Sequence, residues 1–323
     1  MRILLTGATG TFGTSFVRWA LKHGHSIVGM ARNAEMRYRL SQAYPEAVVV
    51  PGDVRILSDL ATIAETFGPF DLLIHAAAEK HVTTGQAFKK YAWDVNVGGA
   101  INVLEIADAY GIPKIVALST DKACEPVNFY GETKAEAEKL FIQGGRTVVR
   151  YGNVIGSSGS VLPLFLKQRT AGRLTITDRR MTRFFMPIDD DGAWGVIQEP
   201  GRQRVMSAVG LVAYAMQHGT PGDILIPTIP SGTIQNLAEQ IGPGCVIEET
   251  GIRDGEKIHE QLIATDEIPR TYRLTEGVFV VKPWPCALLE PVPSDFRYTS
   301  DVDPQPLHLE MSPVEDHVCV SPV

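Results

Sequence analysis

The chain has 323 residues, 44% of them hydrophobic, enough to bury a full core as one large domain or two closely joined ones. Its formal net charge of −7 implies no broad basic face, which argues against a nucleic acid or an anionic membrane as the main partner. The apolar run after Met1 is too short for a signal peptide, no stretch reaches the roughly 20 apolar residues of a membrane span, and the cysteines (Cys124, Cys245, Cys286, Cys319) lack metal-ligand spacing, so a reduced, metal-free, cytoplasmic protein is expected.

In chain order the first half alternates β-branched runs with helical patterns: strand 2–6, a helix to about residue 22, strands 26–30, 48–51 and 71–75, a long helix to about 110, strand 114–118, another helix, and strand 147–151. That rhythm predicts an α/β, Rossmann-like, doubly wound parallel sheet covered on both faces. After Asn153 Gly and Pro become frequent, and the readable elements, "DILIP" and "SGTIQNLAEQIG", are short and irregularly spaced. A cofactor-binding domain over 1–153, with returning elements within about 182–223, and a smaller substrate domain from 154–181 and about 224–323 are expected. The Pro- and Asp-rich segment from Pro291 reads as a surface wrap or a trailing end.

Gly7, Gly10 and Gly13 in "GATGTFG" lie between the first strand and its helix, where a backbone free of side chains can approach a pyrophosphate and the helix N-terminus offers N–H donors. The second strand ends in Met30, Ala31, Arg32 and Asn33. An Arg without the acid that NAD sites place here suits a 2′-phosphate, which favours NADP over NAD, unless Arg32 is a solvated loop residue. Asp53 after the third strand either contacts the adenine amino group or caps the helix starting near Ile56. In "LSTDKACEPVNFYGETK", Tyr130 and Lys134 stand at i and i+4, so both project from one helix face. A nearby ammonium lowers a phenol's pKa and lets it act as a base toward a hydroxyl being oxidised.

Together with the strand-end Ser119 and Thr120, these features resemble the extended, nucleotide-sugar-modifying branch of the short-chain dehydrogenase/reductases. The strings "HAAAEKHV", "STDKA", "PVNFYGETK", "RYGNVIGSSGSV", "ITDRRMTRF" and "GIRDGEKIHE" are similar to the UDP-N-acetylglucosamine 4,6-dehydratases. Tyr130, where membrane-anchored C5-retaining relatives usually carry Met, points to the soluble C5-inverting group of the pseudaminic acid pathway. The resemblance implies a lyase in polysaccharide biosynthesis that acts on a UDP-sugar, with Thr120, Asp121, Lys122, Tyr130 and Lys134 catalytic. It also implies cofactor contacts from Thr9, Thr11, Phe12, Val54, Ala76, Ala77, Ala78, Lys80 and Asn96 beside the residues above, and a homo-oligomer.

The substrate would meet Lys80, Thr120 and Asn153, with Arg183, Arg253 and Glu256 holding diphosphate and uridine. His81 either lines that pocket or is a satisfied structural histidine. Lys122 is expected to be a neutral amine, its pKa lowered by burial and by Lys134, that takes the C5 proton while Asp121 protonates the departing C6 hydroxyl. The bland alternative makes Asp121 an N-cap and Lys122 a surface charge. A C4 epimerase or reductase of the same branch, or a non-catalytic dinucleotide sensor, would not need that pair. Two stretches depart from the family pattern: residues 191–207 read as an insertion, and Thr83, Thr84, Gly85 and Gln86 stand where a Pro and an acid are usual.

Overall fold

The computed structural model describes residues 1–191, 194–198, 203–274, 277–302, 304 and 308–311. Nine strands form the main sheet in the order Thr271–Arg273, Val278–Val281, Ile224–Pro227, Thr147–Val149, Ile115–Leu118, Leu72–His75, Arg2–Thr6, Ser26–Ala31, Val48–Pro51. The last seven are mutually parallel and the first two join antiparallel. Ile3, Leu4, Leu5, Leu73, Ile74 and Val116 are wholly buried, as strands covered on both faces require. Strand order reverses between Arg2–Thr6 and Leu72–His75, and the crevice beyond their carboxyl ends is where such sheets bind ligands.

The helix Phe129–Gln143 is started by Asn128, whose Oδ1 accepts from Gly131 N at 2.8 Å. Its buried positions recur at three and four residues, which lines up Tyr130, Lys134 and Glu138 along one inward stripe. Glu138 is partnered by Arg150, which follows Thr147–Val149 and is 2% exposed. The guanidinium binds Glu138 on one side and, at 2.7 and 2.9 Å, both oxygens of Glu267 on the other, with Leu262 O at 2.9 Å. Ser119 Oγ donates to the same Glu138 at 2.6 Å.

Several elements sit elsewhere than the sequence pattern implies. Ile224–Pro227 and Val278–Val281, expected in the substrate part, are buried strands of the main sheet, because their unbroken apolar runs suit a doubly covered interior. Thr182–Met186 pairs instead with Asn153–Val154 and Ser231–Thr233 in a small separate sheet, while the helix Ala208–His218 returns to cover Thr147–Val149 and Ile224–Pro227. Within 191–207, Trp194–Gln198 pairs with Gln203–Arg204 and with His308–Met311, so part of the expected trailing end is a strand. Residues 312–323 lie outside the described residues. Among the described residues no helix is long and apolar enough to cross a membrane, and no His, Cys, Asp and Glu cluster could hold a metal.

Arg150→Met should cost about 3–5 kcal/mol, because it leaves two buried carboxylates facing each other without their cation. Burial pushes the Glu267 carboxyl up, but Arg150 outweighs it and the net pKa is low, so its contribution is complete at neutral pH and fades as acid protonates it. Urea unfolding of both proteins should show the gap closing as the pH falls through the carboxylate range.

Candidate active site

The glycine turn shows why each glycine is there. Gly7 has φ +73°, and a Cβ on it would lie 2.8 Å from the backbone of Ala76 and Ala77. One on Gly13 would lie 2.6 Å from Ala8 O, inside the first helical turn, whereas Gly10 meets only Gly7 O at 3.3 Å and presents open backbone. The helix Thr11–Lys22 begins at Gly10 with no side-chain cap and no acid in its first turn, so its N–H groups remain available to an anion. A dinucleotide pyrophosphate fits this cradle.

The cavity over it, about 540 Å³, is lined by Gly7, Thr9, Gly10, Thr11, Phe12, Gly13, Arg32, Asp53, Val54, Ala76, Ala77, Ala78, Lys80, His81, Thr120, Asp121, Lys122, Tyr130, Lys134 and Asn153. Arg32 is half exposed; Nη1 donates to Tyr91 Oη at 2.5 Å and lies 4.0 Å from Asp53. That acid is already neutralised, since Arg55 binds both Asp53 oxygens at 2.6 and 3.0 Å. Although burial raises the Asp53 pKa, the Arg55 hydrogen bonds outweigh it and hold the carboxyl low. Asp53 therefore belongs first to Arg55, and the helix Leu57–Phe67 starts at Ile56 rather than at Asp53. Arg37 donates to the carbonyls of Ala31 and Arg32, adding a third guanidinium at this strand end; neither Arg37 nor Arg55 was singled out from sequence.

Asn96, expected at the cofactor, is instead buried and fully engaged. Its Nδ2 donates to Thr133 Oγ1 and Glu79 O while its Oδ1 accepts from Glu79 N, which fixes the loop after Leu72–His75 against the Tyr130 helix. His81 pairs with Glu79 at 2.9 Å. Lys80 Nζ donates to Ser158 O at 2.6 Å, and Ser158 is bound to Thr11 through both its amide and its hydroxyl. Residues 157–159 thus form a strap over the glycine turn.

Around Tyr130 the electrostatics differ from the expectation. Burial pushes the phenol up to about 12; Lys122 opposes this, Asp121 adds to it, and a hydrogen bond with Thr120 lowers it. Lys134 is lowered to about 8 by burial, partly offset by Glu138, and donates to Leu118 O at 2.6 Å. Lys122 is the larger correction. Burial lowers its pKa, but Asp121 and Glu260 more than compensate and leave it raised, and Lys134 is not among the groups acting on it. Its ammonium lies 3.0 Å from Asp121 Oδ1 and 3.4 Å from Glu260 Oε1. Asp121, 1% exposed, also accepts from the Thr120 hydroxyl at 2.8 Å, so neither it nor Lys122 is a surface group.

A second cavity, about 550 Å³, meets the first at Lys122 and Asn153. Asn153 Oδ1 is buried without a hydrogen-bond partner among the described residues, a place for a ligand donor. Arg253 and Glu256 line this cavity, Arg253 largely exposed and 3.8 Å from Glu256, and Lys167, not foreseen from sequence, adds a cation. Arg183 also lines it, but its terminal nitrogens donate to the carbonyls of Thr182, Lys257 and Ile258. With those donors spent, its first task is to anchor residues 257–260 rather than to grip a diphosphate.

Residues 3–282 match the model of the family described as polysaccharide biosynthesis protein. The chain is 36% identical over 296 residues, 87% of its length and 82% of the relative's, to a UDP-N-acetylglucosamine 4,6-dehydratase (inverting) of Campylobacter jejuni. It is 35% identical over 289 residues to a UDP-glucose 4-epimerase of Rickettsia akari, covering 83% of this chain and 79% of that one. The X-ray structure of Pen from Bacillus thuringiensis superimposes with a TM-score of 0.81 at 28% identity, covering 93% of this chain and 94% of that one.

Gly13→Ala should weaken dinucleotide binding at least about tenfold and cost about 1–3 kcal/mol of stability, as overpacking does. Gly98→Ala, where an added Cβ meets nothing within 4 Å, should change neither; calorimetry and urea unfolding read both.

Proposed function

The chain belongs to the polysaccharide biosynthesis protein family within the extended short-chain dehydrogenase/reductases, and on that premise we propose that it dehydrates a UDP-N-acetylhexosamine, UDP-N-acetylglucosamine, to a 4-keto-6-deoxy sugar using NADP. One observation carries the reading: a buried Asp121–Lys122 ion pair lies beside the Tyr130 and Lys134 stripe, where the two cavities meet. An epimerase, the name of other relatives, needs only Tyr130 and Lys134.

When bound, the dinucleotide takes a hydride from C4 and later returns it to C6, and its oxidised ring is a positive charge that favours the Tyr130 phenolate. Thr120 orients the C4 hydroxyl and Tyr130 accepts its proton, while Lys134 holds the nicotinamide ribose. The new ketone makes the C5 proton acidic. Lys122 must be a neutral amine to take it, and Asp121 a carboxylic acid to protonate the leaving C6 oxygen. One proton shift along their 3.0 Å contact produces both states at once, with no net charge change. After water leaves, Lys122 carries the C5 proton and Asp121 is a carboxylate, which restores the pair in the form described here. Return of hydride to C6 and of a proton to the opposite face of C5 gives inversion, a reading supported by Tyr130 and by the inverting relative.

Arg32, Arg37 and Arg55 around the end of Ser26–Ala31, with Asp53 already neutralised, support NADP over NAD. The adjoining cavity, with Asn153, Lys167, Arg253 and Glu256, would take the UDP portion.

Purified protein given UDP-N-acetylglucosamine without added cofactor should convert it to a product lighter by one water with the nucleotide intact, as read by mass spectrometry. In deuterated water that product should carry deuterium at C5, with ring couplings of the L-arabino form. An unchanged mass with an inverted C4 hydroxyl would make it an epimerase. Lys122→Ala should still form NADPH from bound NADP and substrate, with absorbance that persists because elimination stops.

Arg32→Ala should cost about 1.5–3 kcal/mol of NADP affinity and little of NAD affinity. Equal losses by calorimetry would remove Arg32 from the 2′-phosphate site.

A further inference from the structure

Glu260 closes the string "GIRDGEKIHE" far from the catalytic stretch in sequence, yet its carboxylate reaches Lys122. The side chain is 3% exposed, with Oε1 3.4 Å from Lys122 Nζ and 3.8 Å from Arg183 Nε. Oε2 is buried without a hydrogen-bond partner among the described residues. The backbone is pinned on both sides by Ser300, whose Oγ accepts from Glu260 N at 2.9 Å and whose N donates to Glu260 O at 2.8 Å.

We propose that Glu260 is the positioning residue of the proton-transfer pair: its carboxylate holds the Lys122 amine against Asp121 and sets how tightly that amine keeps its proton. The inference rests on the reading of Asp121 and Lys122 as the eliminating acid and base.

The local charges explain why a second carboxylate is needed. Asp121, Lys122, Glu260 and Arg183 sum to zero when all are ionised. When the Lys122 proton passes to Asp121, that pair becomes neutral, and Glu260 still faces the fixed Arg183 guanidinium. No carboxylate is stranded unpaired at any stage. When Lys122 then captures the C5 proton, the ammonium forms already facing a negative charge at 3.4 Å, which makes the amine a stronger base toward carbon.

Other charged groups near Glu260 do not compete for it. His259 turns to Thr182 Oγ1 at 2.8 Å, Lys257 Nζ donates to Cys124 O at 2.7 Å, and Glu256 pairs with Arg253. Across Lys122 stand Asp121 and the Tyr130 phenol, whose own proton affinity responds to both. Hydride transfer through Tyr130 and Lys134 makes no direct use of Glu260.

The test compares wild type, Glu260→Gln and Glu260→Asp with NADP bound, using 13Cε-lysine NMR titration with Lys122→Ala to assign the resonance. In Glu260→Gln the Lys122 midpoint should fall by about one pH unit or more, a tenfold loss of proton affinity, and Glu260→Asp should recover most of it. With substrate, the alkaline limb of water loss should move down in pH by the same amount, because the pair then gives up its shared proton sooner. Single-turnover NADPH formation should keep its rate within about threefold. If Glu260→Gln titrates like wild type, or merely eliminates more slowly with an unmoved pH profile, Glu260 is a structural residue and the inference falls. A shifted Lys122 titration in a protein whose wild type releases no water would keep the coupling and overturn the dehydratase reading instead.

Discussion

The buried guanidinium of Arg150 is the contact on which the site's geometry depends. It lies where three parts of the chain meet: the Tyr130 helix through Glu138, the end of Thr147–Val149 through its own backbone, and the C-terminal segment through Glu267 and Leu262. A cation so buried raises its own cost of desolvation, which only two charged partners with several hydrogen bonds can offset. Glu138 is one turn beyond Lys134 on the same stripe, and Ser119 beside Thr120 donates to it, so the network fixes the catalytic helix and catalytic strand end together. Leu262 and Glu267 lie shortly after Glu260. The segment that brings the second carboxylate to Lys122 is therefore held by the same cation that holds Tyr130 and Lys134.

That arrangement explains which parts of the molecule were legible in the sequence. The parallel sheet was, because Ile3 to Leu5, Leu72 to Ile74 and Ile115 to Leu118 are unbroken apolar runs, each followed by a helical period. The glycine turn and the Tyr130/Lys134 pair were legible for the same reason: their geometry is local, set by one turn and one helix. Ile224–Pro227 and Val278–Val281 escaped because their partners lie far away in the chain and no regular β/α spacing announces them. Glu260 escaped on the same ground. Asp53 and Arg183 were misjudged in detail because a charged side chain's role depends on who else claims it, and Arg55 and three backbone carbonyls are not visible as claimants in a one-dimensional pattern.

The protonation of Lys122 illustrates the same limit. Burial alone argues for a neutral amine, and that argument correctly describes Lys134, whose surroundings are apolar apart from Glu138. Lys122 has the opposite outcome because two carboxylates within 3.4 Å outweigh desolvation. Two lysines twelve positions apart thus hold protons with very different strength, and the chemistry uses the difference. Lys134 supports a group that exchanges a proton with oxygen, whereas Lys122, paired with an acid, can trade one proton internally and so be base and acid partner in the same step.

A reaction that removes a hydride and later restores it has no use for an exchange of cofactor between the two half-reactions, and the structure is built accordingly. The strap at residues 157–159 is tied to Thr11 on the glycine turn and to Lys80 on the loop after Leu72–His75, which brackets the pyrophosphate cradle from both sides of the strand-order reversal. The substrate cavity, by contrast, opens toward the exposed Arg253 and Lys167 and joins the cofactor cavity only at Lys122 and Asn153. A sugar entering from that side must present its ring to Lys122 as it reaches the nicotinamide end of the cradle. The acid–base pair stands at the junction because the ketone made on one side is what acidifies the proton removed on the other.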